Sequence, residues 1–367
     1  MRLTTLDHCP AGVRLAKSIY NERGSVLLAE GTELTAPLLS ALKRYSIFTI
    51  YIEDEASEGI EIVEAIPEEL RNEAINVVTD GLNTIADLRI TNIQGMIKTE
   101  KAIQSFKKIF KEILACLKDN QTVLNLLATT KIHDNYLYNH CVNVTIYSCQ
   151  LAIENSLPIK NIEEIGLGAM LHDLGKLYIP PQILNKPGQL TNEEFDIVKK
   201  HSQAGFDILR KVHGIPIPVA HCAYQHHERL DGLGYPRGLK DNDIHKYSKI
   251  LSVADVFDAV TSHRVYRPAM LPHTGLELLY AGSGTQFESR QVELFKGCIA
   301  IYPQGLTVKL NDGRTGIVTN YNFNAAGRPQ VRIIRNEENQ PIKAMYEIDL
   351  SANDHLTLHI VEADTLL

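Results

Sequence analysis

Two adjacent histidines followed at once by residues that cannot continue a helix constrain this chain most. His226-His227-Glu228 leads into Asp231-Gly232-Leu233-Gly234-Tyr235-Pro236. Two glycines and a proline so close together demand a tight loop. The histidine pair is therefore expected to close a helix, and the loop to display Tyr235 as a flat, hydrogen-bonding side chain. Upstream, His172-Asp173 follows the apolar helical run Ile165 to Leu171. Consecutive helical side chains diverge by about 100°, so His172 and Asp173 can share a target only if that target is extended, as a pair of metal ions is. Imidazole and carboxylate together suit borderline divalent metals, and so many donors suit more than one ion.

The other histidines strengthen this reading. Eleven of the fourteen lie between His133 and His273, which places the chemistry there. Helical patterns dominate the same region. Thr191 and Glu194 form a capping box, opening a helix expected to carry Phe195, Val198 and His201 inward. Residues 128–302 therefore read as a helical catalytic domain.

The flanks differ in character. Residues 1–65 read as a small α/β module. Arg14 to Ile19 and Ser25 to Ala29 flank a hairpin turn at 21–24. Thr35 is an N-cap with Pro37 in the first turn, and Ser46 to Ile52 is a buried strand. Residues 66–127 read as a helical linker. Its stripe of Ile103, Phe106, Ile109, Phe110, Ile113, Leu114 and Leu117 at three and four spacing suits packing within the monomer first and a homodimer seam second. Residues 303–367 read as a small β-rich tail. Asn311-Asp312-Gly313 is a hairpin turn there, and further strands are expected at Val331 to Ile334, Met345 to Ile348 and Leu356 to Val361.

Composition narrows the function classes. The chain is 44% hydrophobic and 22% charged, too apolar for a disordered chain. No apolar run nears the ~20 residues needed to span a bilayer, and the N-terminus carries no signal-peptide pattern. The six cysteines lack a Cys-x-x-Cys pair and fit a reducing compartment. The expectation is a cytoplasmic protein without a membrane partner. Residues 1–70 hold 6 basic and 12 acidic side chains, most of the net charge of −7. No basic stripe runs along the chain, which excludes polymeric nucleic acid as a partner.

His-Asp-x-Gly-Lys at 172–176 combined with His-His-Glu-x-x-Asp-Gly-x-Gly-Tyr-Pro at 226–236 resembles the HD-GYP family. These are bacterial cyclic di-GMP phosphodiesterases within the HD metal-dependent phosphohydrolases. The resemblance covers roughly 125–300 and extends to Asn139-His140-x-x-Asn143-Val144, Ala254-Asp255-Val256-Phe257-Asp258-Ala259 and Gly284-Thr285-Gln286-Phe287. It implies a mainly α protein, an all-helical HD-type domain with small N-terminal α/β and C-terminal β parts. His140, His172, Asp173 and Asp255 would be ligands of one metal, and Asp173, His201, His226 and His227 ligands of the other. The family suggests iron or manganese. A third-metal glutamate found in some members is here Tyr136, so two ions are expected. Lys176 would meet a phosphate oxygen, although an exposed lysine is the competing reading. Arg264 and Arg267 would approach the second phosphate, and Tyr235 would position the ligand. The implied reaction is attack by a metal-bridging hydroxide that opens cyclic di-GMP to pGpG, with onward cleavage to GMP left open. The alternatives are cyclic GMP-AMP as substrate, a non-catalytic cyclic-dinucleotide receptor, and an HD nucleotidase or (p)ppGpp hydrolase. Asp231 and Glu228 are expected to orient the histidine pair or the loop. His133, His213, His221, His245, His263 and His273 are read as packing or surface residues.

Overall fold

The computed structural model describes residues 1–20, 26–45, 47, 49–62, 64–87, 93–119, 136–262, 269–322 and 325–364. The chain divides into two compact units. One comprises residues 1–64, 123–134 and 299–367, and the other 65–122 and 135–298. Among the described residues no helix is long and apolar enough to cross a membrane.

In the first unit both ends of the chain meet. β1 (Arg2–Thr5) and β2 (Arg14–Leu15) flank β5 (Thr49–Glu53) in an antiparallel sheet. β3 (Ile19–Tyr20) pairs with β4 (Val26–Leu28), and α1 (Ala36–Arg44) packs Leu39 and Leu42 into the same core. The run expected as one strand from Arg14 to Ile19 is two. Ala16 N–H bonds the Tyr51 carbonyl at 2.8 Å, and the chain then bends out of the sheet before β3. Thr35 is the N-cap of α1, but its hydroxyl makes no capping bond. The hairpin turn at 21–24 lies outside the described residues.

The tail forms a five-stranded antiparallel sheet in the order β10-β6-β7-β8-β9. Its strands are β6 (Thr307–Leu310), β7 (Thr315–Asn320), β8 (Gln330–Arg335), β9 (Pro341–Asp349) and β10 (Ile360–Ala363). Leu3 N–H donates to Gly305 O at 2.9 Å, tying β1 to the start of this sheet. Arg332 reaches the Glu58 carbonyl at 2.6 Å. The strand expected from Leu356 starts only at Ile360. The Asn311 side chain takes the Thr357 carbonyl at 3.1 Å and the His359 N–H at 3.0 Å, groups a strand ladder would otherwise use.

The second unit is helical: α2 (Glu68–Asp87), α3 (Ile93–Asp119), α4 (Tyr136–Glu154), α5 (Ile159–Leu171), α6 (Pro181–Leu184), α7 (Asn192–Leu209), α8 (Ile217–Gln225), α9 (Lys246–Thr261), α10 (Pro272–Ala281) and α11 (Ser289–Cys298). α4, α5, α8 and α9 pack into its centre, and their low polarity fits that position. α2 and α3 lie against each other and against α4 and α5. The whole stripe from Ile103 to Leu117 is buried within the chain, each such side chain contributing about 1.5–3 kcal/mol of burial free energy.

Candidate metal centre

Each polar side chain in this core is delivered by an element whose end or face the sequence fixes. His140 sits on α4 and is 1% exposed. α5 ends at Leu171 with His172 as its C-cap. Asp173, at φ −98° and ψ 9°, starts the short 3-10 turn Leu174–Tyr178. The helix stops between the two residues, so the divergence expected within a helix does not apply and both side chains turn to one place. α7 opens on the expected capping box, with Thr191 and Glu194 each bonding the other's backbone, and carries His201, which is fully buried. His226 is the C-cap of α8. Asp255 and Asp258, three apart on α9, share a face.

Two glycines make these approaches possible. A Cβ on Gly175 would stand 1.9 Å from the His201 carbonyl oxygen, and one on Gly234 would stand 2.4 Å from Arg229 N and 2.6 Å from His227 O. The first lets α7 lie against the His172-Asp173 turn. The second lets the loop close onto the segment that carries the histidine pair. The Glu228 carboxylate accepts from Arg237 N and Leu239 N, both at 2.9 Å. Asp231 pairs with Arg229 at 2.6 Å and accepts from Leu233 N–H. Both acids therefore hold the loop and not the imidazoles.

Asp173 lies at the centre. Its Oδ2 is 3.6 Å from His140 Nε2 and 3.4 Å from His172 Nε2. Its Oδ1 is 3.5 Å from His201 Nε2 and 3.8 Å from His226 Nε2. Asp255 Oδ1 is 3.0 Å from His140 Nε2, and its Oδ2 is 3.6 Å from His227 Nδ1. Lys176 Nζ lies 2.5 Å from Asp173 Oδ2. His140, His172 and Asp255 form one group able to hold an ion, and His201, His226 and His227 another. Tyr136 stacks on the His140 ring, with centroids 5.6 Å apart. Arg264 and Arg267 lie outside the described residues.

These groups fit divalent cations. His172 Nδ1 binds the Ala169 carbonyl at 2.7 Å, His201 Nδ1 that of Val198 at 2.7 Å, and His226 Nδ1 that of Cys222 at 3.0 Å. His140 Nδ1 meets Asp258 Oδ2 at 2.7 Å. A ring that donates from Nδ1 keeps a lone pair on Nε2, the tautomer a metal requires. The Nε2 atoms of His201 and His226 face each other at 3.3 Å, an arrangement that a cation bound by both lone pairs would satisfy. His172 Nε2 and Asp173 Oδ1 are buried with no hydrogen-bond partner among the described residues, a costly state for polar atoms unless an ion satisfies them.

Electrostatics divides the cluster. Burial pushes His201 down to about 4 and His226 well below its usual value, so both imidazoles are neutral at pH 7, as a metal ligand must be. Burial opposes charge on His140 too, but hydrogen bonds to Asp255 and Asp258 outweigh it and raise this group to about 9. A positive charge is thus favoured between His140 and Asp255. Burial disfavours the Asp173 carboxylate, yet Lys176 and His172 hold it well below the usual range.

A cavity of about 340 Å³ adjoins the cluster, lined by His226, His227, Tyr235, Phe195, Lys199 and Gln286 among others. Tyr235 is half-buried, its ring 4.7 Å from that of His227. Phe195, expected to point inward, is 43% exposed. It borders the cavity, with Lys199 Nζ 4.7 Å over its ring. Among the described histidines expected to pack, His221 lies against Phe206, and His245 caps α9 by accepting the Tyr247 N–H. His133 and His263 lie outside the described residues. Asn143 and Asp258 stand in the motifs without an assigned role; their signal is the three-residue spacing from His140 and Asp255.

Residues 121–290 match the family model of the HD domain, and residues 307–366 match that of the KOW domain associated with HD domain. A cyclic di-GMP phosphodiesterase of Pseudomonas aeruginosa is 32% identical over 269 residues, covering 73% of this chain and 64% of that protein. One from Thermotoga maritima is 37% identical, covering 53% of this chain and 52% of that protein. The 3'3'-cGAMP-specific phosphodiesterase 2 of Vibrio cholerae is 35% identical, covering 47% and 34%. The chain thus spans less than two thirds of the length of each of these relatives. The chain thus carries a match to the HD domain over residues 121–290, and both the His-Asp turn and the Gly-Tyr-Pro loop lie inside it.

Proposed function

We propose that this protein is a metal-dependent phosphodiesterase that opens cyclic di-GMP to pGpG. The observation that carries the reading is the position of Asp173, whose two oxygens each face a separate pair of histidines. That arrangement supports two metal ions, one with His140, His172 and Asp255 and one with His201, His226 and His227, Asp173 serving both. Iron or manganese suits the mixed donor set. Bound there, the ions would lower the pKa of water and neutralise phosphoryl charge.

The chain's own groups supply the rest. Lys176, 15% exposed beside Asp173, offers an ammonium to a phosphoryl oxygen. Tyr235 closes one side of the adjoining cavity and gives a base a face to stack on. Arg264 and Arg267 are proposed for the second phosphate. A second substrate, 3'3'-cyclic GMP-AMP, is supported by the relatives named for it. A receptor without turnover is disfavoured, because every candidate ligand is present and buried or nearly so. All six cysteines are free thiols, which supports a cytoplasmic setting.

Asp173→Ala tests the reading. It should lose bound metal and cut turnover of cyclic di-GMP by several kcal/mol of transition-state stabilisation, roughly a thousand-fold. Retained turnover would reject Asp173 as the shared ligand. Faster turnover of cyclic GMP-AMP by the unmutated protein would move the substrate assignment.

A further inference from the structure

α2 lies outside the region that matches the HD domain, residues 121–290, yet it sends a cation toward the metal centre. Arg71 is only 8% exposed. One guanidinium nitrogen donates to Asn143 Oδ1. Asn143 Nδ2 donates to Asp258 Oδ1 at 2.7 Å, and Asp258 Oδ2 meets His140 Nδ1 at 2.7 Å. The opposite nitrogen of that ring faces Asp255 and Asp173. The series runs from Arg71 through Asn143 and Asp258 to His140.

The orientation of Asn143 is the point on which this series turns. Its amide has one accepting and one donating end of nearly equal size. Asp258 needs the donating end, and nothing in the shape of an amide selects it. Arg71 does, because a guanidinium can only donate. Reversing the amide would set Oδ1 against a carboxylate and the NH₂ against a cation. The charges agree with this, since Asp258 is 1% exposed and a buried carboxylate needs an opposite charge nearby. We propose that Arg71 is a positioning residue for the metal centre: it fixes the Asn143 amide, which holds Asp258 on His140 Nδ1 and keeps Nε2 aimed at the ion. The inference rests on the reading of His140 as a ligand. It makes α2 a working part of the centre and not only a connection to it.

The test compares full-length Arg71→Met, Arg71→Lys and Val78→Ala. Val78 is another fully buried residue of α2 with no part in the series, so its truncation loosens packing alone. Mn²⁺ affinity, thermal unfolding, and kcat and KM for cyclic di-GMP would be measured on each. Partners of metal ligands commonly control affinity by 10–100-fold, so Arg71→Met should weaken Mn²⁺ binding by about ten-fold. Its kcat should fall with KM held. Arg71→Lys keeps the charge and a donor but not the fork, and should recover part of the affinity. Val78→Ala should lower the unfolding temperature and leave Mn²⁺ affinity unchanged. Arg71→Met that binds Mn²⁺ as Val78→Ala does would overturn the proposal. If Arg71→Met does not fold, Arg71→Lys decides: weakened affinity supports the proposal, and wild-type affinity overturns it. Wild-type protein that binds no Mn²⁺ would instead reject the reading of His140 as a ligand.

Discussion

The two halves of the proposed metal centre are built differently. The half around His140, His172 and Asp255 lies between α4, α5 and α9, and its residues are at most 4% exposed. His140 is braced by Asp258, and Asp258 by Asn143 and the Ser262 hydroxyl at 3.1 Å. The half around His201, His226 and His227 shares its carboxylates with the first: Asp173, and Asp255 at 3.6 Å from His227 Nδ1. His201 and His226 are braced at Nδ1 by backbone carbonyls of their own helices, and the His227 side chain keeps 22% exposure beside the cavity that Tyr235 lines. One half is sealed and rich in negative charge; the other opens to the space where a ligand fits. The sealed half is therefore expected to hold its ion more tightly, and the open half to meet the substrate.

Removing a ligand from each half tests that contrast most strongly. His140→Ala should cost on the order of a thousand-fold in kcat through loss of several kcal/mol of charge stabilisation, with metal lost from protein that stays folded. His227→Ala should leave one ion in place and lose less. Metal content and kcat on both variants check this, and equal losses would erase the distinction. Next in size is the cavity wall. Tyr235→Ala removes a stacking face worth about 1–3 kcal/mol, roughly ten- to a hundred-fold in KM, whereas Tyr235→Phe should change KM by only a few-fold. A fall in kcat with KM unchanged would place Tyr235 in the chemistry and not in binding.

The smallest expected effect is on stability against pH. His201 and His226 are held below their unfolded value of about 6.5, so the unfolded chain takes up protons that the folded chain refuses. Their contribution is lost as pH falls below 6.5, for His201 toward about 4. His140, raised to about 9, contributes stability that is fully present below 6.5 and lost as pH climbs through 9. Metal-stripped protein should thus unfold at its highest temperature near pH 6.5 and at lower temperatures on either side. Metal displaces the proton at His140, so loading should flatten the alkaline side. Thermal unfolding from pH 5 to 9 with and without chelator would show it, and an unchanged alkaline limb would contradict it.

Much of the centre was legible because its chemistry is rare in sequence. Adjacent His-Asp and His-His pairs, each closing an apolar helix, announce side chains that must converge. The Gly-Tyr-Pro loop was legible as a loop. That its glycine is there for close approach to His227 required the backbone positions. Phe195 was misread because helical spacing predicts a face, not what the face meets; at its height on α7 the neighbour is a cavity. Arg71 gave no signal. An arginine amid a polar helix surface looks like any other, and its burial depends on α4 lying alongside. The meeting of β1 with the tail sheet was equally hidden, since Leu3 and Leu306 are brought together by the fold and not by any local pattern.

The most direct measurement is the metal content of freshly purified protein, taken with turnover of cyclic di-GMP by that sample and by Asp173→Ala. About two iron or manganese ions per chain, with pGpG formed only by the unmutated protein, is the predicted result. Unmutated protein that carries its metal, binds the dinucleotide and releases no pGpG would contradict the account.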